Sequence, residues 1–138
     1  NAVQGPFLAA STTIEILQEL GVKRLFVLAS HGTKGKRIFC AATDRQLVEE
    51  MKKFGLEKRE EGEFYGYSAL IMGFAKLSRM EALCLFSETS SDPDDPERPD
   101  RDAAKRALDM LKLILKIQLD TSELAEKVEE RKTPDYYA

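Results

Sequence analysis

Three short apolar runs, set between stretches of periodic hydrophobicity, organise this chain. Leu25-Phe26-Val27-Leu28-Ala29, Ile38-Phe39-Cys40-Ala41-Ala42 and Ala82-Leu83-Cys84-Leu85-Phe86 are continuous rather than alternating. That pattern predicts strands buried on both faces, as in a parallel sheet. Residues 11–20 (STTIEILQEL) predict the end of a helix, with Ile14, Leu17 and Leu20 on one face and Gly21 as its stop. Ser30 to Lys36, with His31, Gly32 and Gly35, predicts a loop. Thr43 or Asp44 caps the next helix, and Gln46 is placed for a capping box from Thr43. Leu47, Val48, Met51 and Phe54 form the apolar face of that helix, and Gly55 ends it.

The second half continues the alternation. The charged stretch from Leu56 to Phe64 predicts a loop with a short strand. Gly66 to Leu77 mixes apolar residues with Gly66, Ser68, Ala69, Gly73 and Ala75. It predicts a buried helix whose glycines allow close approach to the sheet, at about 1 kcal/mol per interior Gly relative to Ala. Ser90 to Pro99 is rich in acids and prolines and predicts a solvated loop. Asp102 to Ile117 predicts the clearest helix, with Ala104, Ala107, Leu108, Leu111, Ile114 and Leu115 inward. Asp120 to Lys132 predicts a last, more exposed helix, docked by Leu124 and Val128 and carrying the i,i+4 pair Glu123 and Lys127. Pro134 prevents its continuation, leaving Asp135 to Ala138 extended.

Apolar strands alternating with amphipathic helices imply a three-layer α/β/α domain with a mostly parallel sheet. The expected organisation is one α/β domain over residues 1–132 and a flexible tail over 133–138. Three strong strands are few for such a sheet. Either strands are missing on the N-terminal side or a partner supplies cover.

Composition narrows the function classes. The chain has 138 residues, 43% hydrophobic and 33% charged, enough for one domain with one core. No apolar run approaches the ~20 residues of a membrane-spanning helix, so no membrane partner is expected. The N-terminus has no basic leader and starts with Asn, which reads as a processed start or a cut edge rather than an intact signal peptide. Net charge is −3, and Lys and Arg are interleaved with acids, so no nucleic-acid partner is expected. Cys40 and Cys84 sit inside apolar runs and read as buried free thiols in a reducing compartment. One His and two distant Cys do not make a metal site, and no cofactor is expected.

The order and wording of the segments resemble the proteasome-assembly-chaperone family. The matching stretches are the strand opening from Leu20 to Leu28, Ala41-Ala42-Thr43-Asp44, the glycine-flanked helix from Gly66 to Leu77, Ala82 to Thr89, and Leu119 to Leu124. Together they cover about residues 14–130. The resemblance implies a phosphorylase-like fold, a cytoplasmic archaeal protein without catalytic activity, and association with core-proteasome subunits and with copies of itself or related family subunits.

The chain ends Tyr136-Tyr137-Ala138. This is similar to the hydrophobic–Tyr–any-residue tail by which proteasome activators and some assembly chaperones engage the outer ring of the core particle. The resemblance implies a terminal carboxylate paired with a lysine at the base of a pocket between ring subunits, a charge-assisted bond. The Tyr137 ring would fill apolar surface while its hydroxyl finds a partner, and Tyr136 would add the preceding contact. One such tail binds weakly; several on one oligomer gain by effective concentration. The expected function is a proteasome assembly chaperone or ATP-independent activator.

A second reading belongs to another class. His31 and the Ser87-Glu88-Thr89 segment both follow strands, at the end of an open sheet where ligands bind. Because the family fold resembles nucleoside phosphorylases, the alternative is a nucleoside-like small-molecule enzyme. There Glu88 would be acid or base, Ser87 or Thr89 an anion contact, and His31 a proton carrier. The plainer expectation is that Glu88 and Thr89 hydrogen-bond loop backbone. Lys34-Gly35-Lys36-Arg37 reads as a solvated basic turn. Tyr65 and Tyr67 are candidates for a subunit interface, since Tyr is enriched there.

Overall fold

The computed structural model describes residues 4–59 and 64–125. In chain order they form α1 (Gln4–Glu19), β1 (Arg24–His31), β2 (Ile38–Ala42), α2 (Arg45–Lys52), β3 (Glu57–Lys58), α3 (Gly66–Leu77), β4 (Glu81–Glu88), α4 (Arg101–Leu115) and a 3-10 turn over Ser122–Leu124. The sheet order is β1-β4-β2-β3. β1 runs parallel to β4, and β2 runs parallel to β3. β2 and β4 are antiparallel, with Cys40 opposite Leu85. The sheet is therefore mostly parallel, with one reversed pair at its centre.

Helices cover both faces. On one, α1 and α3 place Ala10, Ile14, Ile71, Met72 and Ala75 over Ala82, Cys84 and Phe86. On the other, α2 and α4 cover Cys40, Leu83 and Leu85 with Leu47, Val48, Met51, Met110 and Ile114. Cys40 and Cys84 thus point into opposite halves of the core, both buried and free. Burial pushes the Cys84 thiol up to about 12.

Only β4 fits the expectation of a strand buried on both faces. Every residue from Ala82 to Glu88 is buried, because β4 lies between β1 and β2 and under helices on both sides. β1 is an edge strand, half-buried along its length and exposed at Leu28 and Ser30. It also reaches His31, so the loop that follows starts later than expected.

Helix ends depart from expectation for local reasons. Asp44 caps α2 by accepting from Leu47 N–H at 3.0 Å. Thr43 makes no capping box, because its hydroxyl accepts from Ala82 N–H at 3.1 Å and ties the end of β2 to β4. Gly73 faces open space, so no glycine of α3 makes close contact with the sheet; Ile71, Met72 and Ala75 do the packing. α4 starts at Arg101, where Asp100 accepts from Ala103 N–H at 2.9 Å, and ends where Lys116 turns left-handed.

The inward row of α4 is Ala103, Ala107, Met110 and Ile114, whereas Ala104 and Leu115 are exposed. Two adjacent apolar rows run along this helix, and periodicity alone does not say which one meets β4. After α4, the chain turns back along the same helix: Thr121 donates to Asp109, and Arg101 donates to the Glu123 carbonyl. The expected helix from Asp120 to Lys132 is, in its described part, the 3-10 turn alone; Val128 and Lys127 lie outside the described residues.

Candidate functional site

The sheet order determines what happens at the carboxyl end of β4. β1 and β2 are consecutive and antiparallel, but β4 lies between them. The connection from Gly32 to Arg37 therefore crosses two strand spacings, roughly 10 Å, over the last residues of β4. Beneath it sits Glu88, 1% exposed. Its Oε1 accepts from Thr33 Oγ1 at 3.0 Å and from Arg37 Nε at 3.1 Å, and its Oε2 accepts from the Arg37 backbone N–H at 3.1 Å. Arg37 Nη2 completes a fork at 3.1 Å from Oε1, and the guanidinium lies 4.9 Å from the Phe39 ring centroid.

The Arg37 backbone N–H holds the Glu88 carboxyl below the usual carboxylate range, helped by Thr33 and the Arg37 side chain and opposed by burial. One layer of loop covers this carboxylate, so it is out of contact with solvent yet close beneath the surface.

The neighbouring residues are engaged in the same junction. Ser87, also buried, donates through Oγ to the Ala103 carbonyl at 2.9 Å and pins β4 to the first turn of α4. Thr89 acts through its backbone, donating to the His31 carbonyl at 2.8 Å and accepting from Lys34 N–H at 3.3 Å. Arg106 donates to the Glu88 carbonyl at 2.7 Å. His31 lies opposite Glu88 in the β1–β4 register, and its ring meets Phe39 and Phe86 edge to face, at 5.7 and 6.5 Å. The four candidates His31, Ser87, Glu88 and Thr89 are thus brought together, and the hydrogen bonds of the last three hold backbone segments in place.

A groove of about 510 Å³ lies beside them, between β1 and α4, lined by Leu28, Ser30, Ala104 and Leu108 and closed by the Ser90–Asp100 stretch. Among the described residues, no cluster of His, Cys, Asp and Glu could hold a metal ion, and no helix is long and apolar enough to cross a membrane.

Tyr65 and Tyr67 are elsewhere, at the start of α3 against α1. Tyr65 is 72% exposed, and the Tyr67 hydroxyl is 3.0 Å from Thr13 Oγ1. Phe7 meets Phe74 edge to face at 5.3 Å, yet half of Phe7 and most of Leu8 remain in solvent. Gly5, Phe7, Ala9, Tyr65, Tyr67 and Leu70 line one apolar groove on this face. The contribution of α1 was not singled out in the sequence, although the run Pro6-Phe7-Leu8-Ala9-Ala10 was its signal. Sequence reasoning also missed Thr33, Gly35 and Arg37 as partners of Glu88; Arg37 read only as part of a basic turn. Tyr136, Tyr137 and Ala138 lie outside the described residues.

Among solved structures, the chain is similar to Pyrococcus furiosus PbaB, an archaeal proteasome activator, at 25% identity and a TM-score of 0.76, covering 90% of this chain and 54% of that one. It is also similar to Pyrococcus furiosus PbaA, an archaeal homolog of proteasome-assembly chaperone, at 18% identity and a TM-score of 0.73, covering 84% and 52%. A PAC2 family protein from Streptomyces avermitilis matches at 17% identity and a TM-score of 0.68, covering 83% and 49%. This chain therefore spans about half the length of these solved relatives. No curated protein matches it. The PAC2 family model matches residues 3–133, nearly the whole chain, and the chain belongs to that family of proteasome assembly chaperones.

Proposed function

We propose that this protein is a proteasome assembly chaperone or ATP-independent proteasome activator that binds the outer ring of the core particle through Tyr136, Tyr137 and Ala138. The observation that carries this reading is family membership joined to the likeness to PbaB, an archaeal proteasome activator, along 90% of the chain. The terminal Tyr136-Tyr137-Ala138 supplies the chemistry: a free carboxylate for a cationic partner, a phenol for a cleft, and a preceding aromatic. The engagement of Glu88 by Thr33 and Arg37 supports a scaffold at the carboxyl end of the sheet, not a free acid or base. The apolar α1/α3 face around Tyr65 and Tyr67 is the contact for related family subunits in this reading.

The mechanism is differential binding. A tail that binds an assembled or open ring more tightly than the alternative shifts the population toward it, by no more than that difference in affinity. Co-purification tests it. The full chain should retain purified core particle, and a chain ending at Asp135 should not. Equal retention of both overturns the tail assignment.

A further inference from the structure

Among the described residues, no strand pairs with the outer edge of β1. The strand is eight residues long, Arg24–His31. Sheet edges are ordinarily blunted by proline, by charges, by bulges or by covering chain. Between Arg24 and His31, β1 has no proline and no charged residue: the sequence is Leu-Phe-Val-Leu-Ala-Ser. Its register with β4 is continuous from Arg24↔Glu81 to His31↔Glu88, without a bulge. Leu28 is 39% exposed on the α4 face, where the groove between β1 and α4 opens.

We infer that β1 pairs with β1 of a second copy, antiparallel about a two-fold axis through Leu28, joining two four-stranded sheets into one. Three observations select this occupant. First, pairing must keep like faces together, since a slip of one residue would turn every side chain over. Setting Leu28 opposite Leu28 satisfies this and also sets Val27 opposite Ala29, Phe26 opposite Ser30 and Leu25 opposite His31.

Second, charge favours this direction. The His31 end carries the exposed cations Lys34, Lys36 and Arg37 against one buried carboxylate, Glu88. The other end carries Lys23 and Arg24 against Glu19, Glu50 and Glu81, the last two bonded to Arg24. Antiparallel pairing sets the cation-rich end beside the acid-rich end; parallel pairing would set like beside like.

Third, the helices fit. α4 packs on β4, and in the joined sheet the two β4 strands stand three spacings apart, roughly 14 Å. Helices about 10–12 Å wide laid over them leave a gap one side chain deep. Ala104 and Leu108 line that gap in each copy, with half-buried Leu111 and exposed Leu115 continuing the row beside Leu28.

The inference stands without the proteasome reading. In that reading, a dimer would also present two tails.

Leu28→Cys tests the register. Directly opposed residues of an antiparallel pair lie about 4.5–5.5 Å apart at Cα, within disulfide range, and the native Cys40 and Cys84 are buried. Mild oxidation of the full chain should give a covalent dimer with Leu28→Cys. It should give none with Leu77→Cys, a control on α3 that is 81% exposed in the native chain. Leu28→Lys should sediment as a monomer with an unchanged circular dichroism spectrum. A native chain that is monomeric at its highest soluble concentration overturns the inference. So does a dimer that survives Leu28→Lys, or a β1 edge that gains hydrogen-exchange protection only when an unrelated chain is added.

Discussion

Gly35 lies directly on the carboxylate of Glu88: a Cβ at position 35 would stand 1.6 Å from Oε2 and 2.5 Å from Cδ. The carboxylate has little freedom to yield, because Thr33 and Arg37 hold both its oxygens. The absence of a side chain at position 35 is what allows the β1–β2 connection to close over β4. Gly35→Ala should therefore destabilise the fold by about 1–3 kcal/mol, the range for overpacked sites. Urea unfolding would read this as a lower midpoint at unchanged slope.

The same carboxylate makes stability depend on pH with a definite sign. The folded pKa of Glu88 is lowered, so the unfolded chain binds its proton more readily. Its stabilisation is complete above the unfolded value, ~4.3, and is lost as pH falls through the lower folded value. Asp109, held down first by its bond from Lys105, contributes in the same direction. Glu88→Gln should lower stability at neutral pH and flatten the fall of the unfolding midpoint below about pH 5. An acid limb of unchanged steepness in the variant would refute this assignment.

Asp100 joins two segments at the start of α4. One oxygen accepts from Ala103 N–H and the other from Ser90 N–H, each at 2.9 Å. Asp100→Ala removes the helix cap and one anchor of the loop that follows β4. The expected loss is about 1–2 kcal/mol in chemical denaturation, with Asp100→Asn recovering most of it because Asn also caps well.

Cys84 should be inert toward thiol reagents in the native state. Its thiolate is disfavoured up to about pH 12 by desolvation, and Cys40, also buried, shifts in the same direction. Titration with a maleimide at pH 8 should label neither residue in buffer and both in urea. Rapid native labelling at Cys84 would contradict its placement under α1 and α3.

Much of the layering was legible in the chain. The run Ala82–Phe86 announced the central strand, and Leu47, Val48 and Met51 announced the buried face of α2, because these patterns are local. The insertion of β4 between β1 and β2 was not legible, since strand order is settled by contacts between distant segments. That insertion also creates the Glu88 junction: Thr33 and Arg37 lie more than fifty residues from their partner, so nothing in their neighbourhood marked them. In α4, two adjacent apolar rows satisfied the same periodicity, and only the position of β4 distinguishes Ala103 from Ala104.

The functional account rests on binding by the last three residues, and equilibrium affinity for purified core particle tests it most directly. Native chain and Tyr137→Ala should be titrated onto immobilised core particle under one set of conditions. The account predicts at least tenfold weaker binding by the variant, about 1.4 kcal/mol or more, with unfolding midpoints that coincide. Equal affinity of the two proteins would contradict it.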